Sequence, residues 1–337
     1  MRQFVLLVSG LTVLAAGPVV AQQNGGGADR DQDRRQTAAD VKSWLDRMNT
    51  AVEELNYRGT FVHSVDGDVE AEVLHIVHRN ADGVVSERIS ARDGGSEVLR
   101  TERGVRSVLP KQRLVLLEEP RRSSTPLDAS RMRYSDNIEL YYDVATFPSR
   151  RGQIAGRDAQ VVSIRPKDEF RYGYFLWLDR ETALPLRSQV LDEDGDVVEQ
   201  IVFTDLEVVD SIDESEVQPV IDTEGFEVRR PRPDARSDLD EQWRAKNVPI
   251  GFYLSEDRES MLAGSTYPVR HLVYSDGLAT VSVYISHPLS TVDMDQGFSR
   301  MGSTNAYSLR VDGRLATAMG DVPRRTVQRI ATSLDAR

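Results

Sequence analysis

FRYGYFLWLDRETALPLRSQVLDEDGDVVEQIVFTDL, residues 170–206, decides the fold. Its first part, Phe170–Leu178, sets bulky apolar residues at consecutive positions. Neighbouring side chains on a strand point to opposite faces, so such a strand needs cover on both sides. Its second part places Leu186–Leu191 and Asp196–Leu206 either side of Asp194-Gly195, a pair favoured in tight hairpins. Asp-Gly recurs at 66–67, 82–83, 93–94, 276–277 and 312–313, mostly between segments rich in valine, isoleucine and aromatics. Gly59–Val65 is therefore expected to pair with Val69–His78, with further strands at 84–90, 96–102, 105–109, 112–118 and 159–165. Upstream, Thr37 and Asp40 have the spacing of a capping box. Val41, Trp44, Leu45, Met48, Val52 and Leu55 then recur at helical spacing, which predicts an amphipathic helix with a stripe to bury. A helix followed by a long antiparallel meander is an α+β pattern, a curved sheet wrapped around a helix.

The rest of the 337 residues fills in a second unit. Thr223–Gln242 has two prolines, clustered charge and little periodicity, and reads as a linker between a first domain at 37–222 and a smaller one at 243–337. In the smaller unit Tyr267–Tyr274 and Leu278–Ser286 form one hairpin, and 305–311 and 314–319 a second. Pro323 opens a final helix bearing Val327, Ile330, Ala331 and Leu334 on one face. At the other end, Met1-Arg2-Gln3, an apolar run from Phe4 to Ala16 and the small residues of Val19-Val20-Ala21 have the form of a secretory signal, cleaved after Ala21. Residues 22–36, polar and glycine-rich, read as a flexible leader. The net charge of −12 argues against a nucleic-acid partner, because neutralising phosphates needs a basic surface. The absence of cysteine removes disulfides, thiolate metal sites, cysteine nucleophiles and acylated cysteine together.

No pattern of catalytic residues emerges. HExxH, Walker A, GxSxG and SxxK are all missing, so no catalytic residue, metal ligand or cofactor is assigned. Of the five histidines, His75 and His78 are three apart on a strand and point to opposite faces, which keeps them off one ion. Two surfaces stand out instead. Tyr172, Tyr174, Phe175 and Trp177, with Phe61 and the nearby Tyr141-Tyr142, are candidates to line an apolar concavity for a lipid chain, though core packing uses the same residues. Arg229, Arg230, Arg232 and Arg236 form a basic knot in an acidic chain, suited to an anionic headgroup or an acidic partner.

The segments Leu55–His63 (LNYRGTFVH), His75–Arg79 (HIVHR), Gly156–Val208, Val248–Phe252 (VPIGF) and Leu272–Ile285 resemble, in order, the RseB/MucB family. The family commonly has leucine where Val248 stands, which keeps the position apolar. The resemblance implies an N-terminal open half-barrel sheet like that of the LolA and LolB lipoprotein carriers, covered by helices, plus a small sheet-and-helix domain. It implies a periplasmic negative regulator that binds the periplasmic part of a RseA/MucA-like anti-sigma factor and shields it from proteolysis. Lipid or lipopolysaccharide is the implied releasing effector, and alginate control the implied output. It carries no catalytic or metal-binding residue, and a homo-oligomer is compatible with it. A periplasmic lipid or lipoprotein carrier is the competing reading. The second domain argues against it, and the missing cysteine excludes an acylated receptor of the LolB kind.

Overall fold

The computed structural model describes residues 27–65, 71–118, 138–148, 153–230, 242–261, 267–290 and 295–336. Helix α1 (Gly27–Glu54) begins ten residues before Thr37, so residues 27–36, expected in the flexible leader, are helical. Its buried positions are Val41, Leu45, Met48, Ala51 and Val52, the expected stripe at i, i+4 and i+7. The chain leaves the helix at Leu55 and enters β1 (Asn56–Val65), then β2 (Glu72–Ala81), β3 (Val84–Ala91), β4 (Glu97–Thr101), β5 (Gly104–Leu109) and β6 (Leu114–Glu118). β7 (Tyr142–Pro148), β8 (Ala159–Pro166), β9 (Gly173–Asp179), β10 (Pro185–Leu191), β11 (Val197–Val209) and β12 (Glu227–Arg229) complete a twelve-stranded sheet among the described residues.

The order across that sheet is β12-β6-β5-β4-β3-β2-β1-β11-β10-β9-β8-β7. The long return from β1 to β11 makes it one continuous open sheet. Gly59 sits where β1 crosses β11 most closely: a Cβ there would lie 2.5 Å from the Asp205 carbonyl oxygen. Next to it the β1–β11 register slips between Thr60 and Phe61, a bulge that bends the sheet. The bend gives the sheet an inner face, on which α1 packs against Tyr57, Phe61, Ile76, Ile164, Leu176, Leu178 and Phe203.

Part of the expected linker is sheet. Glu227–Arg229 is β12, which runs parallel to β6 and adds an edge to the first sheet. Just before it, residues 211–226 return along the outer face of β2–β5. There Arg79 donates to the Ile212 carbonyl at 3.0 Å and the Val220 amide donates to buried Glu97 at 3.0 Å.

A second sheet of six strands follows: β14 (Tyr253–Ser260), β15 (Val269–Ser275), β16 (Thr280–Ile285), β17 (Gly297–Met301), β18 (Thr304–Val311) and β19 (Arg314–Gly320), in the order β14-β15-β16-β19-β18-β17. Helix α2 (Arg324–Thr332) follows Pro323 as expected and buries Val327, Ile330 and Ala331 against it. The short β13 (Trp243–Ala245) and β20 (Leu334–Ala336) pair with each other and bring Trp243 into the same core. Among the described residues the molecule is thus mostly sheet, a large open one and a smaller one, with two α-helices.

Candidate functional site

β9 shows how the lipid candidates are placed. Tyr174, Leu176 and Leu178 face inward beneath α1, while Phe175 and Trp177 point to the outer face and stay half-buried. Phe61 is fully buried inside, with its ring centroid 5.5 Å from that of Phe203. Tyr172, just ahead of the strand, is buried and accepts a bond of 2.8 Å from Asn305 Nδ2 on β18. The expected single concavity is therefore divided. Period-two alternation sends Phe175 and Trp177 away from Phe61 and Tyr174.

Of the arginine knot, Arg229 lies on edge strand β12, exposed, and its Nε donates to Glu227 at 2.8 Å. Arg230 is exposed beside it; Arg232 and Arg236 lie outside the described residues. Arg229 is held slightly above its ordinary value by the bond to Glu227 and by that carboxylate's charge.

The histidines serve local structure. His78 Nδ1 is 2.9 Å from the Leu55 carbonyl, and its ring stacks on Tyr57 at 4.8 Å. His75, on the opposite face, lies 3.0 Å from Thr60 Oγ1. Among the described residues no group of three or more His, Asp or Glu is arranged to hold a metal ion.

The most elaborate polar site lies where the second sheet meets the first, at the residues that lead into β9. Arg171 has no exposed side-chain surface. Its Nε donates to Asp276 Oδ2 at 2.5 Å, while Nη1 bonds Asp168 and Nη2 the Ile250 carbonyl. The guanidinium also lies 4.8 Å from the Tyr141 ring and 4.9 Å from that of Phe252. Asp276 accepts the Tyr142 hydroxyl at 3.0 Å on the same oxygen, and on Oδ1 the amides of Leu278 and Ala279. Burial, with the Asp276 charge adding to it, pushes the Tyr142 hydroxyl well above the ordinary tyrosine range.

A few ångströms along the same seam, Ser303 bonds Glu199 of β11 and lies 3.0 Å from Asp321. Glu199 is also 2.8 Å from His63 Nε2. Thr326 of α2 donates to the Phe170 carbonyl at 2.7 Å. This seam is a saturated set of donors and acceptors without a nucleophile set against a base, which is the chemistry of holding and not of turnover.

Sequence reading missed the seam. Arg171 and Asp276 are 105 positions apart, and Asp276-Gly277 is indistinguishable from any other turn pair until its carboxylate is seen facing Arg171. The nearest signal was Tyr141-Tyr142, read as lining a lipid surface. Tyr142 belongs instead to the Arg171–Asp276 cluster.

Comparison with known proteins now decides the family. The MucB/RseB N-terminal domain family matches residues 40–221, and the MucB/RseB C-terminal domain family matches 237–335. The chain belongs to the MucB/RseB family. It is 32% identical over 308 residues to the sigma factor AlgU regulatory protein MucB of Pseudomonas aeruginosa, covering 88% of this chain and 91% of that protein. It is 26% identical over 310 residues to the sigma-E factor regulatory protein RseB of Escherichia coli K12, covering 86% and 89%. Among solved structures it resembles the Pseudomonas aeruginosa MucA/MucB complex, with a TM-score of 0.63 and 30% identity over 88% of this chain and 98% of that one. A structure of MucB in complex with MucA(peri) is matched equally well, at TM-score 0.63 and 29% identity. Both MucB/RseB domains, and so both sheets and the seam between them, fall within these matches.

Proposed function

We propose that this member of the MucB/RseB family is a periplasmic negative regulator of an extracytoplasmic-function sigma factor. It binds the periplasmic region of a MucA/RseA-like anti-sigma factor and protects that region from regulated proteolysis. The observation that carries this reading is the likeness to MucB of the MucA/MucB complex along 88% of the chain, both domains included. The signal-like residues 1–21 support export, and among the described residues no helix is long and apolar enough to cross a membrane. The first sheet with α1 across its inner face supports the LolA/LolB-like half-barrel reading, with domain limits at 37–222 and 243–337. The regulatory names of its relatives, not catalytic chemistry, support reading the chain as a non-enzyme.

The effector is lipid or lipopolysaccharide, and the lipid-contact set works in two parts. Phe175 and Trp177 meet an amphiphile without rearrangement, whereas Phe61, Tyr172 and Tyr174 meet an acyl chain only when α1 moves off the sheet. The exposed Arg229 and Arg230 on β12, with Arg232 and Arg236, supply the cationic contact for an acidic stretch of the partner or a headgroup. Moving an equilibrium from 1:99 to 99:1 takes about 10⁴-fold preferential binding, roughly 5.5 kcal/mol. At about 0.8 kcal/mol per buried methylene, about seven extra methylenes suffice before ordering costs, so one acyl chain is an adequate effector.

The deciding experiment titrates the mature chain from Gln22 with the periplasmic segment of the host anti-sigma factor, with and without a lipid A fragment, at fixed salt. Submicromolar binding that weakens with lipid is expected. Tight lipid binding with no anti-sigma binding refutes the regulator and establishes the lipid or lipoprotein carrier.

A further inference from the structure

The outer face of β7–β10 carries a band of rings and guanidinium groups that the core does not use. Phe147 on β7 meets Phe175 edge-on at 6.4 Å between centroids, and Phe175 meets Trp177 at 6.0 Å. Arg165 of β8 lies over Phe175 at 5.5 Å, and Arg187 of β10 over Trp177 at 4.5 Å. Phe147 is 41% exposed and Arg165 is exposed, while Phe175, Trp177 and Arg187 are half-buried. The ladder register sets these groups side by side: Phe147 opposite Val161, Val161 opposite Trp177, Trp177 opposite Arg187. The row runs on through Val202, Val62 and Val73, all half-buried. Contiguous apolar surface of this extent, rimmed by polar groups, marks a contact site.

We infer that this face is a membrane-contact surface that lays the chain on an anionic bilayer, its rings at the headgroup boundary and its arginines on lipid phosphates. Three observations fix the occupant. The chain carries −12 overall, yet here two cations lie stacked on rings. Asp143, opposite Arg165 on the β7–β8 ladder, has its own cation in Lys167 at 3.5 Å, and Arg187 Nη2 is occupied on one side by the neutral Gln200 Oε1 at 2.6 Å. Positive charge therefore dominates where the rings are. Finally, the face is the flat of a sheet, whose backbone donors and acceptors are spent in the ladders between β7, β8, β9 and β10. A peptide gains its affinity from main-chain bonds at a sheet edge. A bilayer needs none, and rewards amphipathic rings beside long cationic stems. The inference goes beyond the regulator reading, because it concerns a bilayer and not a releasing effector, and it stands whether or not the anti-sigma titration succeeds.

The test uses the mature chain from Gln22, sedimented with phosphatidylcholine vesicles with and without phosphatidylglycerol, and followed by tryptophan emission. Binding is expected only with phosphatidylglycerol, weakening with added salt, together with a blue shift that Trp177→Phe abolishes. Each arginine near an anionic surface is worth about fivefold in partitioning, so Arg165→Gln with Arg187→Gln lowers it about 25-fold. Phe147→Ser lowers it about tenfold, and since Phe147 is largely exposed its thermal midpoint stays that of the parent. Failure of the parent chain to sediment with phosphatidylglycerol vesicles, or unchanged partitioning of the folded variants, overturns the assignment. A Trp177 shift with a soluble glutamate-rich peptide but not with vesicles overturns it in favour of a peptide site.

Discussion

Asp276→Asn removes one charge from the seam and changes almost no volume. The asparagine keeps its oxygen for the Leu278 and Ala279 amides, so the turn after β15 survives. What is lost is Oδ2, which takes Arg171 Nε at 2.5 Å and the Tyr142 hydroxyl at 3.0 Å. An amide NH₂ in that place faces two donors, and the Arg171 cation stays behind without exposed side-chain surface. Breaking a buried pair from one side costs about 3–5 kcal/mol. Asp168, its side chain 31% exposed and still on Nη1, holds the loss to the lower end, about 3 kcal/mol. For a cooperative unit of this size each kcal/mol lowers the midpoint by about 2–4 °C, so the drop is about 6–12 °C.

Scanning calorimetry at neutral pH measures it, and the double variant with Arg171→Met reads the pair against an apolar replacement. The double variant is expected to recover part of the loss, because the unpaired cation is gone. A single variant that melts within about 1 °C of the parent refutes the seam as a coupled structural unit.

Three further outcomes follow from the same coordinates. Burial pushes Glu199 up, but the bonds from His63 and Ser303 outweigh it and hold the carboxylate below its ordinary value of 4.5. A lowered carboxylate contributes stability above its unfolded value and loses it as pH falls through the folded one. Urea midpoints of the parent are therefore expected to fall more steeply below pH 4.5 than those of Glu199→Gln. Burial raises Tyr142, Tyr172, Tyr174 and Tyr274, so these hydroxyls stay protonated above pH 10 in the fold and ionise only as it unfolds. Absorbance at alkaline pH is expected to show a late step coincident with loss of circular dichroism. Phe61→Ala, which empties a fully buried site beside Phe203, costs about 3–5 kcal/mol in chemical unfolding.

Legibility in the sequence followed solvent exposure. The α1 stripe and the hairpins β1–β2, β10–β11, β15–β16 and β18–β19 each have one dry face, and the alternation of apolar residues marks them. Asp82-Gly83 and Asp312-Gly313 take positive φ at both residues, as a two-residue reversal demands. Gly277 has positive φ but Asp276 does not, because its carboxylate is occupied in holding the turn and Arg171. The strands that went unread are at or near edges. β14 (YLSEDRES) and β17 (GFSRM) end the second sheet with mostly exposed residues, and β7 ends the first. β12 was hidden because three exposed residues in a charged segment carry no period at all. The two-faced character of β9 was plain from FRYGYFLWL, but which face lies under α1 depends on partners that no local pattern names.

β9 is also the element through which lipid and partner binding would be linked. Its inner side chains Tyr174, Leu176 and Leu178 lie under α1, and its outer rings are Phe175 and Trp177. The two residues before it, Arg171 and Tyr172, hold Asp276 and Asn305 of the second sheet. A ligand shifts an equilibrium only by contacts it makes differently in the two states. An acyl chain that displaces α1 changes what Tyr174 packs against, and Tyr174 is two residues from the Tyr172–Asn305 bond. Displacement of α1 and release of the seam are thus neighbouring events on one short segment. A lipid that touches only Phe175 and Trp177 leaves both α1 and the seam as they are. Membrane contact through the outer face and effector binding under α1 are therefore separable: the first positions the protein, and only the second has a route to the grip of one domain on the other.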